Sequence, residues 1–166
     1  MATRARIALE LKDGSFISSY QHWDGYPGGL GFNLIENWDN YEKVQEAIEL
    51  GDASKWGVIV GQKIDFDDRE NPMQDVQNVY YGRDRGEKDT GYRKHLNGVC
   101  LLDEAFDCGE EFLYIFKETK EGVWEWFYVD EYKDKKTPVP LYADAIRDKI
   151  SILKRVLDMK KENQSI

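Results

Sequence analysis

The chain opens with an alternation that constrains its fold more than any other feature. Ile7, Leu9 and Leu11 are separated by Ala8 and Glu10. Apolar residues at every second position put one face of a strand against a core. Asp13-Gly14 follows and is a strong hairpin turn signal. Phe16 to Trp23 reads as the returning strand.

After the hairpin the pattern changes period. Leu30, Leu34 and Trp38 are spaced four apart, which predicts a helix face. A second helix is predicted from Tyr41 to Leu50, with Asp39 as N-cap, Glu42 completing a capping box and Gly51 as the stop. Its apolar side is Val44, Ala47 and Ile48. Trp56 to Val60 and Val79 to Tyr81 read as short strands, and residues 62–78 and 82–98 as loops. Val99 to Phe106 reads as one or two helical turns. Phe112–Phe116 and Val123–Tyr132 are rich in aromatic and β-branched residues and predict a second hairpin. Thr137-Pro138-Val139-Pro140 breaks the sheet. A closing helix from Leu141 to Lys160 would bury Tyr142, Ile146, Ile150, Leu153, Val156 and Leu157 as its core stripe.

Strands and helices occur in runs, without strict alternation, which favours an α+β fold. The expected architecture is a mostly antiparallel sheet with helices on one face and a C-terminal amphipathic helix. The 166 residues suit a single domain, with 1–136 as the sheet-and-helix body and 137–162 as the helix.

Composition limits the function classes. The net charge of −9 disfavours nucleic acid and anionic lipid as direct partners. An acidic surface suits plain solvation or a face that imitates nucleic acid to a protein partner. Cys100 and Cys108 fit no zinc pattern and read as free thiols of a reducing cytoplasm. No segment resembles a signal peptide or a membrane span. The expected location is therefore cytoplasmic.

Three segments carry residues suited to chemistry. His22-Trp23-Asp24-Gly25-Tyr26-Pro27-Gly28-Gly29 sets an imidazole, a carboxylate and two aromatic rings at a strand end. Trp23 or Tyr26 would stack on a base or sugar, and His22 and Asp24 would bind a polar group or act as acid and base. Its glycines would let a ligand approach the backbone. The alternative is a packed corner in which the rings seal the core edge and Asp24 caps the turn. Asp65, Asp67 and Asp68 are weak candidates for a hard cation, set against a solvated turn paired with Arg69. No glycine stands where an EF-hand loop needs one. Tyr81, Arg83, Asp84 and Arg85 form the local basic cluster, with Arg93 near in sequence. Arginine suits phosphate or carboxylate. The alternative is an internal ion-pair network that orders the loop.

Signatures of phosphate-cradling loops, nucleophile elbows and zinc peptidases are missing from the sequence. The two histidines, His22 and His95, do not suffice for a histidine-rich metal site, and no cofactor is expected.

His-Trp-Asp-Gly-Tyr-Pro and Tyr-Gly-Arg-Asp-Arg-Gly resemble motifs of a widespread family of small uncharacterised phage and prophage proteins. So do the opening Thr3-Arg4-Ala5-Arg6-Ile7, Gly51-Asp52, the Asp-Phe-Asp-Asp-Arg stretch and the aromatic hairpin near Tyr114 and Trp124. The likeness spans about residues 3–130 and excludes the closing helix. It implies a phage origin and a host-cell cytoplasm, and no mechanism. Members of that family often carry a cysteine before the histidine. Gln21 stands there in this chain, which argues against a thiol mechanism at that position.

The reading that follows is a phage accessory protein that sequesters a small phosphate-bearing, nucleotide-like ligand as counter-defence. Trp23, Tyr26 and Tyr81 would stack, and Arg83 and Arg85 would carry the charge. Direct inhibition of a host protein is the second reading, and a nucleotide-acting hydrolase or transferase is the third. The lack of a recognisable nucleophile sets binding ahead of catalysis. A symmetric homodimer is one expectation for its assembly. All readings expect the His22–Tyr26 and Tyr81–Gly86 loops to lie close together.

Overall fold

The computed structural model describes residues 2–133 and 137–164. The opening alternation forms β1 (Ala5–Glu10), which pairs antiparallel with β2 (Phe16–Gln21). Gly14 takes φ +86°, and Asp13 Oδ1 accepts from the backbone N–H and the hydroxyl of Ser15. The return strand ends two residues before Trp23, because His22 and Trp23 turn to bond the carbonyls of residues 53 and 54.

A wide, π-type helical turn over Pro27–Gly31 runs straight into α1 (Phe32–Asn37). Leu30, Leu34 and Trp38 are all buried, as their spacing predicts. α2 (Tyr41–Glu49) buries Val44, Ala47 and Ile48 and stops at Gly51, φ +97°. Its cap is Asn40, whose side chain accepts from the Lys43 amide at 2.9 Å. The expected Asp39 lies one residue too early.

Strand β3 is Ala53–Lys55, not Trp56–Val60. Trp56 instead packs its ring 4.6 Å from that of Trp38. β4 (Val79–Tyr80) pairs with β3. β5 (Arg93–His95) pairs with β2 inside a segment expected to be loop. It is short and charged, so it carries no apolar alternation. α3 spans Gly98–Glu104. The aromatic hairpin forms as β6 (Phe112–Lys120) and β7 (Val123–Asp130). Val139–Pro140 adds β8 at the edge rather than breaking the sheet. Edge positions tolerate proline because no partner needs its missing N–H. α4 runs over Tyr142–Gln164. The expected boundary at residue 136 falls outside the described residues.

The sheet order is β4-β3-β2-β1-β6-β7-β8, with β5 beside β2. Among the strand pairs of the described residues, β1–β6 and β2–β3 are parallel and the rest antiparallel. The fold is α+β with a mostly antiparallel sheet and a C-terminal helix. Helices α1, α2 and α4 cover the face carrying Ile7, Leu9, Tyr114 and Phe116. The short α3 covers the other face, where Leu101 and Ala105 pack on Ala8, Leu113 and Ile115. The one-face expectation therefore omits α3. No helix among the described residues is long and apolar enough to cross a membrane.

Candidate functional site

The His-Trp-Asp-Gly-Tyr-Pro segment is a tightly held corner. Tyr114, fully buried in β6, donates its hydroxyl to the Gly25 carbonyl at 2.6 Å. Asp148 of α4 accepts from the Gly28 amide at 2.6 Å. The glycines serve this packing. A Cβ on Gly25 would sit 2.7 Å from the Thr3 carbonyl oxygen, and one on Gly28 would sit 2.8 Å from the Lys149 amide nitrogen. At both sites the close neighbour is the chain itself, where ligand approach was expected. Asp24 holds φ +57°, and its carbonyl accepts from the Leu30 amide at 2.9 Å.

Trp23 is 44% exposed, and its ring meets His22 edge-on at 4.7 Å. His22 Nδ1 lies 2.7 Å from the Tyr20 hydroxyl, and burial with the nearby Arg4 charge lowers the His22 pKa. Burial pushes the Tyr20 hydroxyl up to about 12, so it stays protonated and hydrogen-bonds the ring.

Trp23, Asp24 and Tyr26 line a cleft of about 480 Å³. Phe32, Asn33 and Glu36 of α1, Lys55 at the end of β3 with Trp56 after it, Asp75, and Lys149 of α4 also line it. Lys55 pairs with Asp75 at 3.3 Å, and the Lys149 ammonium lies 5.5 Å from the Phe32 ring centroid. Trp56 is buried, and its Nε1 has no acceptor among the described residues. A packed corner does not account for that unmet donor, because buried polar groups as a rule find partners. Sequence reading missed Lys55, Trp56 and Lys149 here. Lys55 and Trp56 are adjacent at the end of β3 and Lys149 lies on α4, so no local motif joins them to the Trp23 segment.

The second segment does different work. Arg83 spends all five N–H donors inside the protein. It bonds the carbonyls of Val60, Gly61 and Asn78 and both carboxylate oxygens of Asp84. Asp84, itself buried, also accepts from the Ile64 and Tyr80 amides. This is the ion-pair network that orders the loop. Arg85 lies over the Phe66 ring at 4.9 Å and pairs loosely with Glu87. Tyr81 is the member that meets the first segment: it bonds Ser54, whose carbonyl accepts from His22 and Trp23. The two loops therefore meet through Ser54, and the cleft lining contains none of Tyr81, Arg83, Asp84 or Arg85.

Asp65 Oδ1 accepts from the Asp67 amide, as a turn-capping carboxylate does. Asp67 and Asp68 are exposed, and no group of three metal-ligating side chains forms among the described residues.

A further polar chain crosses the opposite face. Glu104, His95 and Ser18 are linked at 2.6 and 2.7 Å, and Arg6 joins Ser18 to Glu110 at 3.2 and 2.7 Å. The order acid–imidazole–hydroxyl matches an activated serine. Ser18 is 0% exposed, so no substrate reaches it, and the chain serves to tie β5 and α3 to the sheet. Comparison with known protein families, with curated proteins and with solved structures gives no match for this chain.

Proposed function

We propose that this chain binds a small phosphate-bearing, nucleotide-like ligand in the cleft between the Trp23 corner, α1 and α4. The observation that carries the reading is that exposed Trp23 lines one cleft together with Lys55 and Lys149. An uncovered aromatic face supports stacking of a base. The two ammonium groups suit phosphate oxygens, and Asp24 and Glu36 suit hydroxyl or amino donors of a sugar or base. A ligand with both donors and anionic oxygens uses this mixed lining better than a simple anion does. The charge role moves from Arg83 and Arg85 to the lysines.

The residues that line the cleft include no serine, threonine, cysteine or histidine, and the reading favours binding over turnover. In a phage protein, such binding withdraws a host nucleotide signal from its receptor. That role rests on the resemblance of the two motifs to phage proteins. The cytoplasm of the host cell is the matching location.

Thermal melting with AMP, ADP, GDP and a cyclic dinucleotide tests the reading. A ligand present at 100 times its Kd stabilises by about 2.7 kcal/mol. For a chain of this size that raises Tm by roughly 5–10 °C. No shift with any phosphate-bearing probe contradicts the proposal.

A further inference from the structure

The closing helix does not bury the stripe its sequence predicts. α4 is 23 residues long, about 34 Å. Its body side is fixed by buried Ala145 and by Asp148, Lys149 and Ile152, which crowd Gly28. At about 100° per residue, Ile150 lies opposite the Asp148–Ile152 side. Ile150, Leu153 and Leu157 are exposed, with Leu153 at 55%, and Tyr142 and Val156 are exposed too. From residue 153 to residue 164 every described side chain is exposed. The stripe was expected as core. It fails because the body ends before the helix does.

Ile146, Ile150, Leu153 and Leu157 recur at intervals of four, three and four. That is the seam of a two-stranded coiled coil. Arg147, Lys154 and Lys161 recur every seven residues along one edge of it, with Arg147 also bonded to Asp144. Residues 147–161 hold six basic side chains and two acidic ones, in a chain of net −9. The helix therefore carries the sign opposite to the rest of the molecule.

This charge pattern selects among occupants. A second copy in parallel sets Lys154 against the second copy's Lys149. An antiparallel copy sets the two Arg147–Lys154–Lys161 rows against each other. Like charges at these flanks destabilise the pair and set partner choice. An anionic bilayer would attract the helix but repel the acidic remainder of the chain. An acidic helix with its own apolar seam satisfies both the seam and the flanks.

We infer that α4 is a docking helix for an acidic, amphipathic helix of another protein, seated on Ile150, Leu153 and Leu157 and flanked by Lys154 and Lys161. The site is separate from the cleft and stands or falls independently of it.

The test uses the full chain and a synthetic helical peptide with leucine at the seam positions and glutamate at the flanks. A control peptide carries lysine at the flanks. Fluorescence anisotropy is expected to report micromolar binding of the acidic peptide alone, weakening with salt. Leu153→Ser is expected to weaken it about tenfold, and so is the double variant Lys154→Glu with Lys161→Glu. Both changes fall on exposed positions, and circular dichroism checks the fold. Four results overturn the inference: no binding of the acidic peptide, equal binding of both peptides, self-association of the chain in sedimentation, or co-pelleting with phosphatidylserine vesicles while the peptide stays unbound.

Discussion

Ser18 Oγ lies 2.7 Å from His95 Nε2, and Glu104 Oε2 lies 2.6 Å from the other nitrogen of the same ring. A carboxylate can only accept, so Nδ1 carries the proton and Nε2 accepts from the serine hydroxyl. Arg6 then donates to the same Ser18 oxygen at 3.2 Å. Every member of the chain is served with the imidazole neutral. The network thus fixes β5 and α3 against β2 at the cost of one titratable group in the interior.

That cost has a sign. Burial holds the His95 pKa below its ordinary 6.5, with Arg6 and Arg93 acting the same way and Glu104 opposing. The unfolded chain takes up this proton near 6.5 while the folded chain resists it. The stability is whole above pH 6.5 and falls as pH drops from there toward the folded value. Urea unfolding at pH 7.5 and 5.5 should give a lower midpoint at 5.5. His95→Gln should be less stable throughout and should lose less between the two pH values. An equal loss in the variant contradicts the assignment.

Arg83 is a structural residue in this account. Removing it leaves a buried carboxylate at Asp84 and three carbonyls without their donor. Arg83→Ala should cost about 3–5 kcal/mol in chemical unfolding. Arg83→Lys should recover little, because an ammonium cannot reproduce the guanidinium fork. At temperatures where the variant stays folded, nucleotide affinity should be unchanged. A loss of affinity with intact stability would return Arg83 to the ligand site.

Tyr114 and Gly28 hold the corner that presents Trp23. Tyr114→Phe leaves the buried Gly25 carbonyl without its donor and should cost about 1–3 kcal/mol. Gly28→Ala drives a Cβ to 2.8 Å from the Lys149 amide nitrogen, which cannot rotate away. Overpacking of this kind costs about 1–3 kcal/mol. Hydrogen exchange should rise in the first turns of α4 in that variant. Unchanged exchange there would mean that the corner and the helix are not coupled.

Much of the fold is legible in the sequence where a period or a turn residue decides it. The Ile7–Leu11 alternation, the Asp13-Gly14 turn, the four-spaced Leu30, Leu34 and Trp38, and the aromatic hairpin all appear as read. Elements too short to show a period were missed: β3 has three residues, and β5 has three with two of them basic. The α4 stripe misled because amphipathic spacing marks a face that wants a partner without saying whether the partner is the same domain. The site was half legible. Trp23, Asp24 and Tyr26 share a motif, whereas Lys55 and Lys149 reach the cleft only through the topology. Arg83 drew attention by its charge, which five internal bonds absorb.

Trp23 should prove dispensable for folding and needed for binding. The residue is 44% exposed, and its ring meets that of His22. Trp23→Ala should cost at most about 1 kcal/mol of stability. Stacking worth about 1–3 kcal/mol per base by alanine substitution implies a fall in affinity of roughly 5–150-fold for the nucleotide that shifts Tm.

The most direct test of the account is mass spectrometry of the small molecules released on denaturing the chain, purified from the bacterium in which it is expressed. The account predicts a phosphate-bearing nucleotide at near one per chain from the parent protein, and its loss from Trp23→Ala and Lys149→Glu. A parent chain that releases nothing phosphate-bearing, and that none of the nucleotide probes stabilises, contradicts it.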